Sequence, residues 1–150
     1  MLTLNPHFRE LLGHFNSEGV KYLVLGGYAV NYHGHHRNTK DIDLWIMIDA
    51  DNAERVSRAL QRFGFAPESV SAAKFMTRGQ IHVFGREPFR VDILTDPSGV
   101  DFAACYARRV EAELEGVRVP FIALADLKAN KRASGRLRDL ADLEELPEKP

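Results

Sequence analysis

The segment DIDLWIMI at residues 41–48 limits the possible folds of this chain most strongly, because it places two acids in a β-prone apolar run. Side chains in a β-strand alternate between two faces, so Asp41 and Asp43 share one face. The other face is filled by Ile42, Leu44, Ile46 and Ile48. Two neighbouring carboxylates repel each other and resist desolvation. The segment therefore predicts a strand with one core face and with a cation between its two acids.

Hydrophobic periodicity and turn residues predict the remaining elements. The turn at residues 85–88 and the pair Glu115-Gly116 each indicate a hairpin. Pro120 predicts that the last strand is an edge strand, and Asp51 with Glu54 resembles a capping box. The pattern predicts an α+β fold with a mixed or antiparallel central sheet flanked by helices, as a single domain over 1–150 with C-terminal helices at 124–146 packed on it. The predicted helices cover residues 8–15, 28–33, 51–63, 101–107, 124–133 and 137–146, and the predicted strands cover 21–25, 41–48, 80–84, 89–95, 109–114 and 117–122.

Composition excludes several classes of protein. Lys and Arg number 20 against 21 Asp and Glu, so the net charge of −1 excludes a globally basic nucleic-acid binder, and contact with nucleic acid would need a local patch. The one cysteine, Cys105, cannot form an internal disulfide, which favours a reducing compartment and predicts a cytoplasmic location. Because no run approaches about 18 apolar residues, no membrane span is expected.

A glycine pair and a third acid extend the acidic pattern. Gly26-Gly27 follow the first predicted strand and precede a helix, and glycines let backbone N–H groups approach phosphate oxygens. Asp92 lies on the polar face of the strand at 89–95, so three acids converge if that strand neighbours 41–48. Three carboxylates suit Mg²⁺ or Mn²⁺, and they can hold two ions about 4 Å apart or one ion beside a general base for phosphoryl displacement.

Three segments carry a family resemblance, namely LVLGGYAVNYHGHHRNTKDIDLWI, the later VDIL and the C-terminal LADLKANKRASGRLRDLADLEEL. Together they resemble the nucleotidyltransferase superfamily with the DNA polymerase beta-like fold. More narrowly, they resemble its small bacterial abortive-infection-type and minimal nucleotidyltransferase-like members. The resemblance covers residues 20–146. It implies metal-dependent transfer of a nucleoside monophosphate from an NTP to a hydroxyl acceptor, which could be a protein, an RNA or a small molecule, with pyrophosphate leaving.

The resemblance also implies cofactors, partners and residue roles. Mg²⁺ or Mn²⁺ is the implied cofactor and an NTP the implied substrate. A toxin or antitoxin protein, within a toxin–antitoxin or defence system, or a second copy of the chain are the implied partners. The metal ligands would be Asp41, Asp43 and Asp92, with Asp92 a ligand or the base for the acceptor; Lys131 would join them as a catalytic residue, and the nucleotide contacts would be Gly26, Gly27, Arg37, Thr39 and Arg136.

Simpler interpretations stay open for several of these residues. Arg37 and Lys40 could be plain surface charges, and Lys131 shares a helical face with Lys128 and Arg132, a spacing typical of a solvated surface. For Trp45, on the face of the acids, packing is favoured over a role as a base-stacking platform. The clustered histidines lack the spacing of a zinc site, so packing and solvation are favoured for His33, His35 and His36.

A second function hypothesis keeps the same fold without catalysis. In this interpretation the chain is an inactive module that binds a nucleotide or a partner protein through the same face. All three acids are present, although a site that has lost its activity would be expected to relieve their repulsion by losing one. This observation favours catalysis.

Overall fold

The computed structural model describes residues 2–36 and 38–150 and folds them into a mixed α/β structure with one six-stranded sheet flanked by helices. The predicted fold class is confirmed. Two short 3₁₀ segments, Pro67–Ser69 and Ala72–Met76, precede the third strand. The elements in chain order are α1 (Pro6–Ser17), β1 (Tyr22–Leu25), α2 (Gly26–Tyr32), β2 (Asp41–Ile46), α3 (Ala50–Phe63), β3 (Ile81–Phe84), β4 (Arg90–Leu94), α4 (Phe102–Ala107), β5 (Val110–Leu114), β6 (Val117–Phe121), α5 (Leu124–Ser134) and α6 (Leu137–Glu145).

The strand order of the sheet is β3-β4-β2-β1-β6-β5. Strand β2 pairs in parallel with β4 on one side and antiparallel with β1 on the other. Both predicted hairpins form, one from β3 and β4 and one from β5 and β6. The acid-bearing strand β2 is therefore central, and β4, which carries the third acid, is its direct neighbour.

Strand β6 lies inside the sheet between β1 and β5, so the prediction of an edge strand from Pro120 is wrong. The parallel pairing of β6 with β1 is registered at Val24 and Phe121, one residue beyond the proline. Ile122 then donates its backbone N–H to the carbonyl oxygen of Val24 at 3.2 Å. An interior strand tolerates a residue without an N–H here, because pairing with β1 begins only after that residue.

The N-cap of helix α3 lies two residues before Asp51, where the sequence predicts a capping box. Its N-cap is Asp49, whose side chain accepts a hydrogen bond from the backbone N–H of Asn52 at 2.7 Å. Asp49 has the extended backbone that an N-cap requires, with φ −155° and ψ 161°, whereas Asp51 already lies in the first turn. The helix ends before Gly64, as the sequence predicts.

The core side of β2 decides where the acids point. Ile42, Leu44 and Ile46 are fully buried, which directs Asp41 and Asp43 to the opposite face of the sheet. On that opposite face Trp45 is also buried, edge-on to the Phe102 ring of α4 with ring centroids 5.1 Å apart. The packing interpretation of Trp45 is thus confirmed, and the base-stacking alternative is wrong.

Helices α5 and α6 contact each other at the C-terminal end of the chain. The single-domain boundary of 1–150 stays a prediction. Within the residues that the structure describes, no helix combines the length and the hydropathy needed to cross a lipid bilayer.

Candidate active site

Three carboxylates converge where β2 and β4 run side by side. The parallel register places Asp43 opposite Asp92 and Asp41 opposite Arg90. One oxygen from each of Asp41, Asp43 and Asp92 can be chosen so that all three lie within 4.8 Å of one another. The predicted convergence of the three acids is confirmed, and it follows from the pairing of two strands far apart in sequence.

The acids carry the electrostatic cost that their spacing predicts. Partial burial, together with the charges of Asp92 and Asp41 and a hydrogen bond to Asp92, raises the pKa of Asp43 to about 7. The positive charge of Arg90 lowers the pKa of Asp43 and so opposes this shift. The Arg90 guanidinium forms two hydrogen bonds with Asp92, with Nε 2.8 Å from Oδ1 and Nη2 3.1 Å from Oδ2. One arginine thus compensates part of the charge of the cluster and fixes the orientation of Asp92.

Gly26 makes the approach of the next element possible. Its φ of +62° is in the left-handed region, and a Cβ atom at this position would lie 1.8 Å from Oδ2 of Asp43. No other residue type fits without moving that carboxylate, so the backbone at the start of α2 passes directly beside the acids. The buried Gly27 follows it.

The acids form the floor of a cavity of about 550 Å³. Every described residue to which the resemblance assigned a role lines this cavity, whereas Arg37 lies outside the described residues. Thr39 donates its hydroxyl hydrogen to the carbonyl oxygen of Asp41 at 3.1 Å. This bond links the preceding loop to the first residue of β2. The predicted residues on its wall are Gly26, Gly27, Thr39, Asp41, Asp43, Asp92, Lys131 and Arg136.

Lys131 belongs to a buried ion network that joins α5 to α6. Only 4% of the residue is exposed, and Nζ lies 3.2 Å from Asp139 and 2.8 Å from Asp142. The solvated-surface interpretation of Lys131 is wrong. Asp139 also accepts hydrogen bonds from the Ser134 hydroxyl and from Nε of Arg136, the latter at 2.9 Å, and these contacts lower the pKa of its partly buried carboxyl group.

Arg136 differs from Lys131 because its side chain is 76% exposed at the rim of the cavity. Its Nε donates a hydrogen bond to Asp139. This bond fixes one side of the guanidinium and leaves the other nitrogens accessible. The network therefore places one cation inside the protein and aims a second one toward the cavity.

Sequence reasoning missed four residues of the cavity wall, namely Asn38, Glu87, Arg90 and Arg138. Arg90 could have been found, because it stands two positions before Asp92 and so shares its strand face. Arg138 and Glu87 carry no such signal, since an isolated charge in a helix or turn is usually solvated. Lys40, for which a phosphate contact and a surface charge were both open, also lines the cavity.

The histidine-rich loop takes no part in the acidic cluster. Nε2 of His33 lies 2.7 Å from the carbonyl oxygen of Ile122, which ties the end of α2 to the end of β6. Burial lowers the pKa of His33. Among the described residues, the cluster with metal-ligand spacing consists of the three aspartates.

Fold and site together define a member of the nucleotidyltransferase superfamily. The structure is similar to the crystal structure of an antigenic nucleotidyltransferase-like protein from Paracoccidioides brasiliensis, with a TM-score of 0.53 and 15% sequence identity over 91% of this chain and 72% of that one. At this identity the likeness shows the fold. A family model for aminoglycoside-2''-adenylyltransferase matches residues 7–146, and the chain belongs to that family of nucleotidyltransferases. A search of curated protein sequences finds no match.

Proposed function

We propose that this protein is a metal-dependent enzyme that transfers a nucleoside monophosphate from an NTP to a hydroxyl acceptor. Family membership supports nucleotidyl transfer in general. The observation that carries the finer proposal is the triad Asp41, Asp43 and Asp92, within 4.8 Å in oxygen spacing, at the floor of a cavity with cationic walls. The same cavity supports binding of an NTP.

The donor set of the triad fits Mg²⁺ or Mn²⁺. Carboxylate oxygens are the ligands that these hard cations prefer. The raised pKa of Asp43 supports the same assignment, since a site that holds its acids at a cost is relieved by a divalent cation. Bound there, the metal would neutralise the carboxylates and stabilise the charge that develops on the α-phosphate.

The cationic wall suits the triphosphate. Lys40 and Arg138 have no carboxylate partner among the described residues, and Arg136 is held at the rim. Gly26 and Gly27 line the same cavity, and residues without side chains let phosphate oxygens approach the backbone N–H groups. We assign the nucleotide to this wall and to the glycines.

The bond changes of the proposed reaction are those of one displacement at phosphorus. The acceptor oxygen bonds to the α-phosphorus, and the bond from that phosphorus to the oxygen bridging to the β-phosphate breaks. Pyrophosphate leaves with the electron pair of the broken bond. Asp92 accepts the proton of the hydroxyl, and Arg90 holds that carboxylate in place.

The test is to incubate the protein with each NTP labelled at the α-phosphate, with Mg²⁺ or Mn²⁺. One arm adds cell lysate, which includes any toxin or antitoxin partner, and a second adds an aminoglycoside, the acceptor that the family name suggests. Asp43→Asn is the inactive comparison, and Asp51→Asn, an exposed acid on α3, is its matched control.

We expect label on an acceptor with wild type and Asp51→Asn but not with Asp43→Asn. Metal-dependent NTP binding without label in any arm would contradict the proposal and favour the inactive binding module. Undiminished transfer by Asp43→Asn would contradict the assignment of the acidic site.

A further inference from the structure

One acid stands among the cations that α6 brings to the cavity wall. Asp139 lines the cavity together with Arg136 and Arg138, to which the triphosphate is assigned. By its charge alone, a carboxylate beside bound phosphates repels them and weakens their binding. The side chain of Asp139 is only 7% exposed, so solvent screens little of this repulsion. The contacts of Asp139 indicate what offsets it.

Three donors hold the Asp139 carboxylate. Its Oδ2 accepts hydrogen bonds from the Ser134 hydroxyl and from Nε of Arg136, the latter at 2.9 Å. Its Oδ1 lies 3.2 Å from Nζ of Lys131, a residue that is only 4% exposed. Both oxygens of the acid are therefore fixed by the protein itself.

The link between α5 and α6 brings these donors together. Helix α5 ends at Ser134, and Gly135 then adopts the left-handed conformation, with φ +63°. Arg136 is the N-cap residue of α6, and Asp139 lies in the first turn of that helix. An exposed ion pair three residues apart on a helix usually contributes little, because both side chains stay mobile. Here a buried ammonium and a hydroxyl immobilise the acid, so the pairing restricts the arginine.

Arg136 is thereby oriented to bind an anion. Its side chain is 76% exposed, and with Nε bonded to Asp139 the two Nη nitrogens keep their donors for other partners. A guanidinium that is already oriented loses less conformational entropy when it binds a phosphate. This gain offsets the repulsion between the phosphate and Asp139, because that acid is already paired with two cations.

We propose that Asp139 is a positioning residue for nucleotide binding, which acts on the triphosphate through the orientation of Arg136. The inference rests on the proposed function and adds a residue to the same site. Lys131 stands one step further from the substrate, since it holds the other oxygen of Asp139. Asp142 contacts the same ammonium at 2.8 Å, but the hydrogen bond from Nε of Arg136 goes to Asp139. This difference between the two acids can be measured.

The test measures the dissociation constants of an NTP and of inorganic tripolyphosphate, each with Mg²⁺, by isothermal titration calorimetry. Asp139→Asn should raise both constants about tenfold, as the loss of a charge-assisted hydrogen bond does. Removal of a negative charge would by itself lower them, so the sign of the change separates positioning from simple electrostatics.

Asp142→Asn is the matched control, because it removes a charge from the same buried network. Its dissociation constants should stay within about twofold of those of wild type. Denaturant unfolding of both variants gives their stabilities, so that a loss of folding is not mistaken for a loss of binding.

A double-mutant cycle tests whether Asp139 acts through Arg136. Asp139→Asn/Arg136→Gln should bind no more weakly than Arg136→Gln alone, because the arginine is no longer present to be positioned. With Arg138→Gln, a neighbouring cation of the same wall, the effects of the two substitutions should multiply. Arg136→Lys leaves the buried acids unchanged and should also raise the constants about tenfold, because one ammonium lacks the fork that contacts Asp139 and a phosphate together.

Unchanged or lower dissociation constants for Asp139→Asn, multiplied effects with Arg136→Gln, or wild-type affinity in Arg136→Lys would overturn the inference while the proposed function stands. Absence of metal-dependent NTP binding by wild type would contradict both. If the dissociation constants change as expected but no acceptor receives label, the inference stands and the proposed transfer does not.

Discussion

At the scale of single residues, the site holds three acids whose mutual repulsion the fold does not fully compensate. The effect is largest at Asp43, because it is partly buried next to Asp92 and Asp41 and Arg90 lowers its pKa only through its charge. Arg90 could be predicted from its spacing to Asp92 along the strand. The burial of Lys131 could not, because it depends on the docking of α6 and its acids against α5.

The raised pKa of Asp43 predicts how the stability of the metal-free protein changes with pH. The folded state keeps a proton that the unfolded state releases between pH 3.8 and about 7, so the free energy of unfolding falls as pH rises through this window. In EDTA, the melting temperature of wild type should fall between pH 5 and pH 8 by more than that of Asp43→Asn. Equal changes in the two proteins, with Asp51→Asn as a further control, would contradict the electrostatic description.

Gly26→Ala tests the close approach between α2 and the acids. The new Cβ would overlap Oδ2 of Asp43, so we expect transfer to fall by more than about 100-fold, since even residues that only support a metal ligand cost about 10- to 100-fold. The control is Gly116→Ala, which also has a positive φ, +83°, but no atom within 4 Å of the new Cβ. It should lose about 1–2 kcal/mol of stability and keep its activity. Similar activity in both variants would show that the contact with Asp43 is unimportant.

At the scale of secondary-structure elements, local patterns predicted most of the helices, strands and hairpins. DIDLWIMI predicted β2 and the face of its acids, and turn residues predicted both hairpins. Long-range pairing was not readable in the same way, because the parallel contacts of β2 with β4 and of β1 with β6 join segments distant in sequence. The error at Pro120 has the same origin, since its effect depends on which neighbour β6 has.

The α5–α6 contact predicts a large effect of removing Lys131. Lys131→Met would leave Asp139 and Asp142 buried close together without their ammonium partner, so we expect a loss of about 3–5 kcal/mol in the free energy of unfolding. Arg132→Met, on the exposed side of the same helix, should change it by no more than about 0.5 kcal/mol. Denaturant unfolding of the two variants measures the difference, and equal stabilities would contradict the structural role of the network.

At the scale of the whole molecule, the fold brings two chemically different surfaces to one cavity. The acids come from the centre of the sheet, and cations come from α6 and from the loop before β2. The cytoplasmic location stays a prediction, as do the proposed toxin or antitoxin partner and the second copy of the chain.

Ligand binding should stabilise the whole protein only when metal and nucleotide are present together. At 100 times its dissociation constant a ligand adds about 2.7 kcal/mol, which corresponds to about 5–10 °C in the melting temperature for a chain of this size. Wild type should show this shift with Mg²⁺ and an NTP, and Asp43→Asn should not. A shift of equal size with the NTP in EDTA would contradict a metal-dependent site.

The central claim is that the acidic triad transfers a nucleoside monophosphate, and two labels of the same NTP test it most directly. In parallel reactions with Mg²⁺, one NTP carries its label on the α-phosphate and the other on the γ-phosphate. The account predicts that wild type leaves the α-label on the acceptor and releases the γ-label as pyrophosphate, and that Asp43→Asn does neither. Label from the γ-phosphate on the acceptor, or the same products from Asp43→Asn, would contradict it.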